Sequence, residues 1–247
     1  MANLPALAPE QVAFFHDQGY LILRQAARPE RVARLRAITE QHLDETVAPV
    51  EYEAQVPYPN APSSLEAPGG RTVRRLLKAW DRHAEFQQWG AHPDLVRIIA
   101  GLFDTDELCL VRNHHNCVMT KNPQYSSATL WHQDIRYWSF ESPNLINAWL
   151  ALGEETAHNG CMRVIPGSHK VDWEPERFDE LKFFRPDRED NRALIHQALR
   201  AEMKAGDVLL FHSRLLHAAG RNHTQACKMA LVFSYRRRDN APLAGTR

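Results

Sequence analysis

Two histidines and an aspartate set the chemical question for this chain. His132 and Asp134 stand two apart in Thr129-Leu-Trp-His-Gln-Asp134, and His217 follows 83 residues later in Leu216-His217-Ala-Ala-Gly220. Two neutral imidazoles and one carboxylate meeting on one face of a ferrous ion leave the opposite positions open for oxygen and an organic cosubstrate. If the three side chains converge, that residue set is expected to serve as the centre of a non-haem oxygenase.

Spacing alone is weak support. With 13 His and 13 Asp in 247 residues, chance places about 0.7 His-x-Asp pairs. The chain has three: His42-Leu-Asp44, His92-Pro-Asp94 and His132-Gln-Asp134. Residues i and i+2 share a face on a strand and diverge on a helix. His42 and Asp44 fall in a stretch with helical apolar spacing (Val32, Leu35, Ile38, Leu43), and His92-Pro-Asp94 reads as a helix start. Only His132 and Asp134 sit among β-branched and aromatic residues (Thr129, Trp131, Ile135, Tyr137, Trp138), where both side chains can reach one metal. For the distal position His212 and His223 compete. His217 is preferred because Gly206-Asp207 turns into the apolar run Val208–Phe211 and Leu215-Leu216 precede it directly.

The elements that must position these residues divide the chain. The first third reads helical: Pro9–Asp17 as a short helix ended by Gly19, Tyr20–Leu23 as a strand, and roughly Pro29–Thr46 as a long amphipathic helix. The Pro-rich stretch 49–70 reads as a long loop, either a lid or a disordered surface segment. From Glu107 onward short apolar runs predict strands at Leu108–Lys121, Thr129–Trp138, Leu145–Leu152, Cys161–Pro166, Asp207–Phe211 and Ala226–Tyr235. Trp173–Arg200 is charged and reads as a surface excursion. Helices first and strands later predict one mainly β domain spanning 1–247: a barrel or sandwich core over about 106–240, with the helical part, about 1–105, packed on one side.

Thirty basic and thirty acidic residues cancel, which gives no broad attraction to nucleic acid or anionic membrane. Cys109, Cys117, Cys161 and Cys227 lack close pairing and read as free thiols of a reducing compartment. The opening Met1-Ala-Asn-Leu-Pro5 has no basic-then-apolar signal and no run reaches membrane-span length, so a cytoplasmic protein is expected. Asn159-Gly160 reads as a hairpin turn and Pro166-Gly167 as a strand end. Arg163, between them, could face either side.

Taken together, the motifs resemble the phytanoyl-CoA dioxygenase-like group of Fe(II)/2-oxoglutarate oxygenases. The resemblance runs through Gln11–Leu23, Trp131-His-Gln-Asp134, Ala148-Trp149, Asn159–Lys170, and Gly206-Asp207 … Phe211-His212 … His217–Asn222. It implies a double-stranded β-helix (jelly-roll) core, iron on His132, Asp134 and His217, and 2-oxoglutarate as cosubstrate. It also implies hydroxylation of an unactivated C–H in a small molecule, with O₂ consumed and succinate and CO₂ released. In related halogenases a small residue replaces the carboxylate ligand; Asp134 favours oxygenation instead. The family's arginine for the far carboxylate of 2-oxoglutarate corresponds to Lys228, which keeps the charge but loses the planar fork. The resemblance further points to Thr129, Trp149, Lys78 and Cys117 as cosubstrate neighbours. Substrate contacts are expected from Arg136, Tyr137 and Trp138, from the 49–70 loop and from the tail Arg236–Asn240. The alternatives are desaturation, cyclisation or epimerisation by the same oxidative chemistry, or a non-catalytic metal-binding jelly-roll.

Overall fold

A computed structural model describes residues 4–244; Met1–Asn3 of the N-terminal reading, and residues 245–247, lie outside the described residues. In chain order the elements are α1 (Pro9–Gln18), β1 (Tyr20–Leu23), α2 (Pro29–Asp44), β2 (Val50–Tyr52), β3 (Val73–Leu77), α3 (Ala79–Arg82), α4 (Ala84–Gly90), α5 (Pro93–Phe103), β4 (Leu108–Lys121), β5 (Thr129–His132), β6 (Leu145–Ala151), β7 (Met162–Val164), α6 (Glu189–His196), β8 (Leu199–Arg200), β9 (Val208–His212), β10 (His217–Ala219) and β11 (Lys228–Arg237). Pro9, Pro29 and Pro93 each open a helix, where proline's fixed φ fits and its missing N–H is not needed. Gly19 closes α1 at φ 79° and donates its N–H to Phe15 O at 2.7 Å. A side chain there would collide with the His169 ring, so both the left-handed turn and the close approach require glycine.

Seven strands form one antiparallel sheet in the order β1-β9-β6-β11-β4-β3-β2, and four form a second, β5-β10-β7-β8. The larger sheet is apolar on both faces, and its period of two separates two cores. Leu21, Ile146, Ala148, Leu150, Val208, Leu210, Leu231, Phe233 and Tyr235 pack against the helical layer with Leu35, Phe86, Trp89, Ile98 and Ile99. The alternate residues Trp149, Ala151, Leu209, Phe211, Ala230 and Val232 face the interior, with Met162 and Val164 of the smaller sheet. Two facing sheets with helices packed on the larger one are the expected jelly-roll architecture. Lys228 and Lys121, at matching register on β11 and β4, share the parity of the interior set.

Four local expectations change. The strand from Thr129 ends at His132, and Asp134–Tyr137 is a 3₁₀ turn; Gln133 stays extended (φ −109°, ψ 136°), so residues 132 and 134 still point the same way. The 49–70 stretch is partly regular, with β2 paired to β3 and Glu53–Gln55 forming a 3₁₀ turn. Glu53, fully buried, accepts from Ser127 N (3.2 Å) and Ser127 Oγ (2.7 Å), tying the stretch to the strand that leads to the histidine–aspartate pair. The 173–200 excursion is a cover: Trp173, Phe178, Phe184, Leu194 and Ile195 pack on Trp131, Leu216 and Ala218, the outer face of the smaller sheet. Asn159-Gly160 lies within a ten-residue connection between β6 and β7 and closes no two-residue hairpin. Arg163 faces outward, 5.3 Å from the Trp131 ring centroid, and donates to Ile195 O at 3.3 Å.

Candidate metal centre and its cavity

His132 ends β5 and His217 begins β10, and the two are register partners across the smaller sheet. Their Nδ1 atoms lie 2.7 Å from Leu130 O and 2.9 Å from Leu215 O. A carbonyl only accepts, so each Nδ1 carries the proton and each Nε2 is left as a lone-pair donor. These Nε2 atoms lie 3.4 and 3.6 Å from Asp134 Oδ1. One ligand atom from each residue falls within 4.8 Å of the others, and all three residues are buried. Adjacent ligands of an octahedral ion with bonds of about 2.1 Å lie about 3 Å apart, so the donor set fits a single metal with little movement.

Neighbours fix the charge state. Burial, helped by His217, lowers His132 to about 3, keeping the imidazole neutral. Burial alone would raise Asp134, but His115, His217 and His132 hold its carboxyl well below the usual range. Its second oxygen accepts from Asn147 Nδ2 at 2.8 Å, and Asn147 in turn accepts from Ser234 Oγ. His217 is steadied from the Pro166–His169 turn: Ser168 Oγ accepts from Leu216 N at 2.9 Å, and Ile165 N donates to Leu216 O at 2.9 Å.

The triad lies in the wall of a cavity of about 490 Å³. Its lining divides by chemistry. One group, Met119, Trp149, Met162, Ala218 and Ala219 with the cations Lys121 and Lys228, is set on the interior strands. Another, Glu51, Tyr58, Asn113, His114, Tyr137 and Trp138, is polar and aromatic, and Tyr137 is 58% exposed; this is the mouth.

Of the residues expected around the cosubstrate, Thr129, Trp149 and Lys228 line the cavity. Lys228 already has a partner: its Nζ lies 3.0 Å from Glu155 Oε2, and Trp149 Nε1 donates to Glu155 Oε1 at 2.5 Å. Lys78 is an exposed left-handed residue outside the lining. Cys117 is buried outside the lining as a free thiol, raised to about 11 by burial. Arg136 turns from the cavity to lie over Phe183 and Tyr137 (3.9 and 4.2 Å). The tail arginines hold their own turn, Arg236 through Arg238 O and Asn240 O, and Arg237 through Asp239.

Sequence reasoning missed Arg74, Lys121, Glu155, Asn147 and His115. Arg74 Nη2 donates to Thr129 Oγ1 at 3.2 Å; the hydroxyl hydrogen of Thr129 stays free for another acceptor. Glu155 is placed by Asn159, whose side chain accepts from Thr156 N (2.8 Å) and donates to Glu154 O (2.7 Å), on either side of it. The Asn-Gly motif was the available signal, and its service to a neighbouring carboxylate was not visible in it. The rejected pairs behave as helical geometry requires. His42 and Asp44 lie in α2, while His92 caps α5 by accepting from Asp94 N.

Comparison with known proteins places the chain among relatives. The chain is 25% identical over 240 residues to the peroxisomal phytanoyl-CoA dioxygenase of Rattus norvegicus, covering 93% of this chain and 68% of that protein. It is 26% identical over 243 residues to a probable alpha-ketoglutarate-dependent hypophosphite dioxygenase of Stutzerimonas stutzeri, covering 96% and 81%. EctD from S. alaskensis, solved with 2-oxoglutarate and 5-hydroxyectoine, shares the fold with a TM-score of 0.79 at 21% identity, covering 96% and 78%. Among the described residues no helix is long and apolar enough to cross a membrane. The family model for phytanoyl-CoA dioxygenase (PhyH) matches residues 15–230, and the chain therefore belongs to this family of iron- and 2-oxoglutarate-dependent oxygenases.

Proposed function

We propose that this oxygenase hydroxylates a C–H bond of a small polar molecule, with 2-oxoglutarate converted to succinate and CO₂. One observation carries the reading: two lone-pair imidazole nitrogens and a carboxylate oxygen converge in the wall of a cavity with cations in its interior and polar side chains at its mouth. His132, Asp134 and His217 would hold the iron, which supplies oxygen activation when bound. Asn147 and the carbonyls of Leu130 and Leu215 keep the three ligands aimed before the metal arrives. Trp149, Met119 and Met162 keep the interior dry, so that oxidising equivalents are spent on substrate and not on stray reductants.

The mouth favours a substrate that forms hydrogen bonds. His114 and His115 are both lowered to about 4, chiefly by burial, and are therefore neutral. His114 lines this mouth with Glu51, Tyr58, Asn113 and Tyr137, side chains that can donate to or accept from a substrate, while His115 Nδ1 faces Asp134 Oδ2 at 3.5 Å. A long acyl chain laid over the polar groups of this mouth would leave them without water or partners, at a cost of order 1–3 kcal/mol for each one desolvated.

Anaerobic addition of Fe(II) and then 2-oxoglutarate should produce a metal-to-ligand charge-transfer band, and a panel of small polar compounds should raise succinate release above the uncoupled background. No band in the wild-type protein would end the oxygenase reading. Stimulation by acyl thioesters alone would end the polar-substrate reading.

A further inference from the structure

Lys121 and Lys228 stand directly opposite each other on the antiparallel strands β4 and β11, and both line the cavity. Like charges placed opposite one another in a sheet repel, and buried charges persist when partnered. Lys228 has Glu155 at 3.0 Å. Arg74 has Glu51 and Glu53, each at 3.5 Å, and Arg75 has Glu51 at 3.2 Å. Among the described residues Lys121 is the member of this group with no carboxylate within 4.0 Å of its Nζ. Its side chain is buried, and one of its three N–H donors goes to Ser127 O at 2.8 Å. Four cations against three carboxylates leave one positive charge unmatched, and it sits on Lys121.

That excess is what a dicarboxylate would answer. The keto-acid end of 2-oxoglutarate, together with Asp134, balances the two charges of a ferrous ion. The far carboxylate remains and calls for one cation. We propose, resting on the oxygenase reading above, that Lys121 receives this carboxylate, with the Thr129 hydroxyl as a further donor, while Lys228 stays paired with Glu155 against the Trp149 ring. The anchoring charge then lies on β4, facing the β11 position at which the resemblance implied it. Burial and then the neighbouring Arg74 and Lys228 press the Lys121 ammonium well below the ordinary lysine range. The pocket is thus electrostatically primed for an anion.

The test compares 2-oxoglutarate with 2-oxopentanoate, which keeps the keto-acid chelate and replaces the far carboxylate by a methyl group. Binding is read from the anaerobic charge-transfer band of the Fe(II)-loaded protein, without turnover. Wild type should favour 2-oxoglutarate by about 10–100-fold, the worth of a charge-assisted contact. Lys121→Met should reduce that preference to within about threefold while leaving 2-oxopentanoate affinity unchanged. The double variant Lys228→Met/Glu155→Gln removes a charge pair at no net charge and should keep the preference. Retention by Lys121→Met, or its loss in the double variant, overturns the proposal. If Lys121→Met fails to fold, the double variant decides alone by the same criterion. No band from wild type with either keto acid is a separate outcome: it removes the oxygenase reading and this inference with it.

Discussion

The metal centre and the cationic interior of the same cavity are built on opposite plans. The centre takes one ligand from the end of β5, one from the turn that follows it and the third from the register partner of the first, and each imidazole is oriented by a carbonyl two residues before it. The interior charges come from β2, β3, β4, β11, the 53–55 turn and the β6–β7 connection, and their ion pairs join residues distant in the chain, Arg74 to Glu51 and Glu53, Arg75 to Glu51, and Lys228 to Glu155. Ligand geometry tolerates shifts of tenths of an ångström, whereas a carboxylate anchor needs only a positive charge and donors within reach. The first plan therefore constrains which positions can serve, and the second leaves more than one strand able to supply the charge.

The hardest way to break the contrast is to remove a ligand. Asp134→Ala should lower 2-oxoglutarate turnover to the uncoupled background and abolish the charge-transfer band, while thermal unfolding stays cooperative. Full turnover in this variant would sink the triad. Asn147→Ala acts one step away: it leaves all three ligands and frees the second Asp134 oxygen. A loss of about 10–100-fold in iron affinity is expected, the usual effect of an outer partner. Equilibrium competition with a chelator measures it, and an unchanged affinity would show that Asp134 needs no such support.

The same contrast explains what could be read from the chain. His132 and Asp134 were legible because helical and strand geometries treat an i, i+2 pair differently, and Gln133 kept the pair aligned even where the strand gave way to a 3₁₀ turn. The alternation of β6, β9 and β11 was visible only as apolar runs, because both faces of the larger sheet are covered. Lys228 was found through the family resemblance, as the position that corresponds to the family's arginine, but its partner was not. Glu155 reaches it through a turn held by Asn159 and a bridge to Met203, contacts with no periodic signature. Lys121 looked like the polar end of a strand, and its burial depends on Ser127 and the 49–70 stretch folding over it.

The smallest expected effect concerns stability and asks whether the interior is strained as its charges imply. Lys121 is surrounded by Arg74 and Lys228, with Glu53 and Glu155 farther off as partial compensation. Its pKa is lower folded than unfolded, so between that lowered value and about 10.4 the unfolded chain binds more protons. Stability should therefore rise with pH across this window and fall as pH drops toward the folded value. Lys121→Met removes the contribution. Without 2-oxoglutarate it should melt a few degrees above wild type at neutral pH, on a scale of roughly 2–4 °C per kcal/mol for a chain of this length, and the difference should shrink as pH approaches 10. With saturating 2-oxoglutarate and Fe(II) the order should reverse, because wild type alone then gains a partner for the charge. Melting curves at two pH values, with and without the dicarboxylate, read both signs. A variant less stable than wild type under every condition would mean that the ammonium is already satisfied by Ser127 and the two glutamates, and that the interior carries no charge awaiting a ligand.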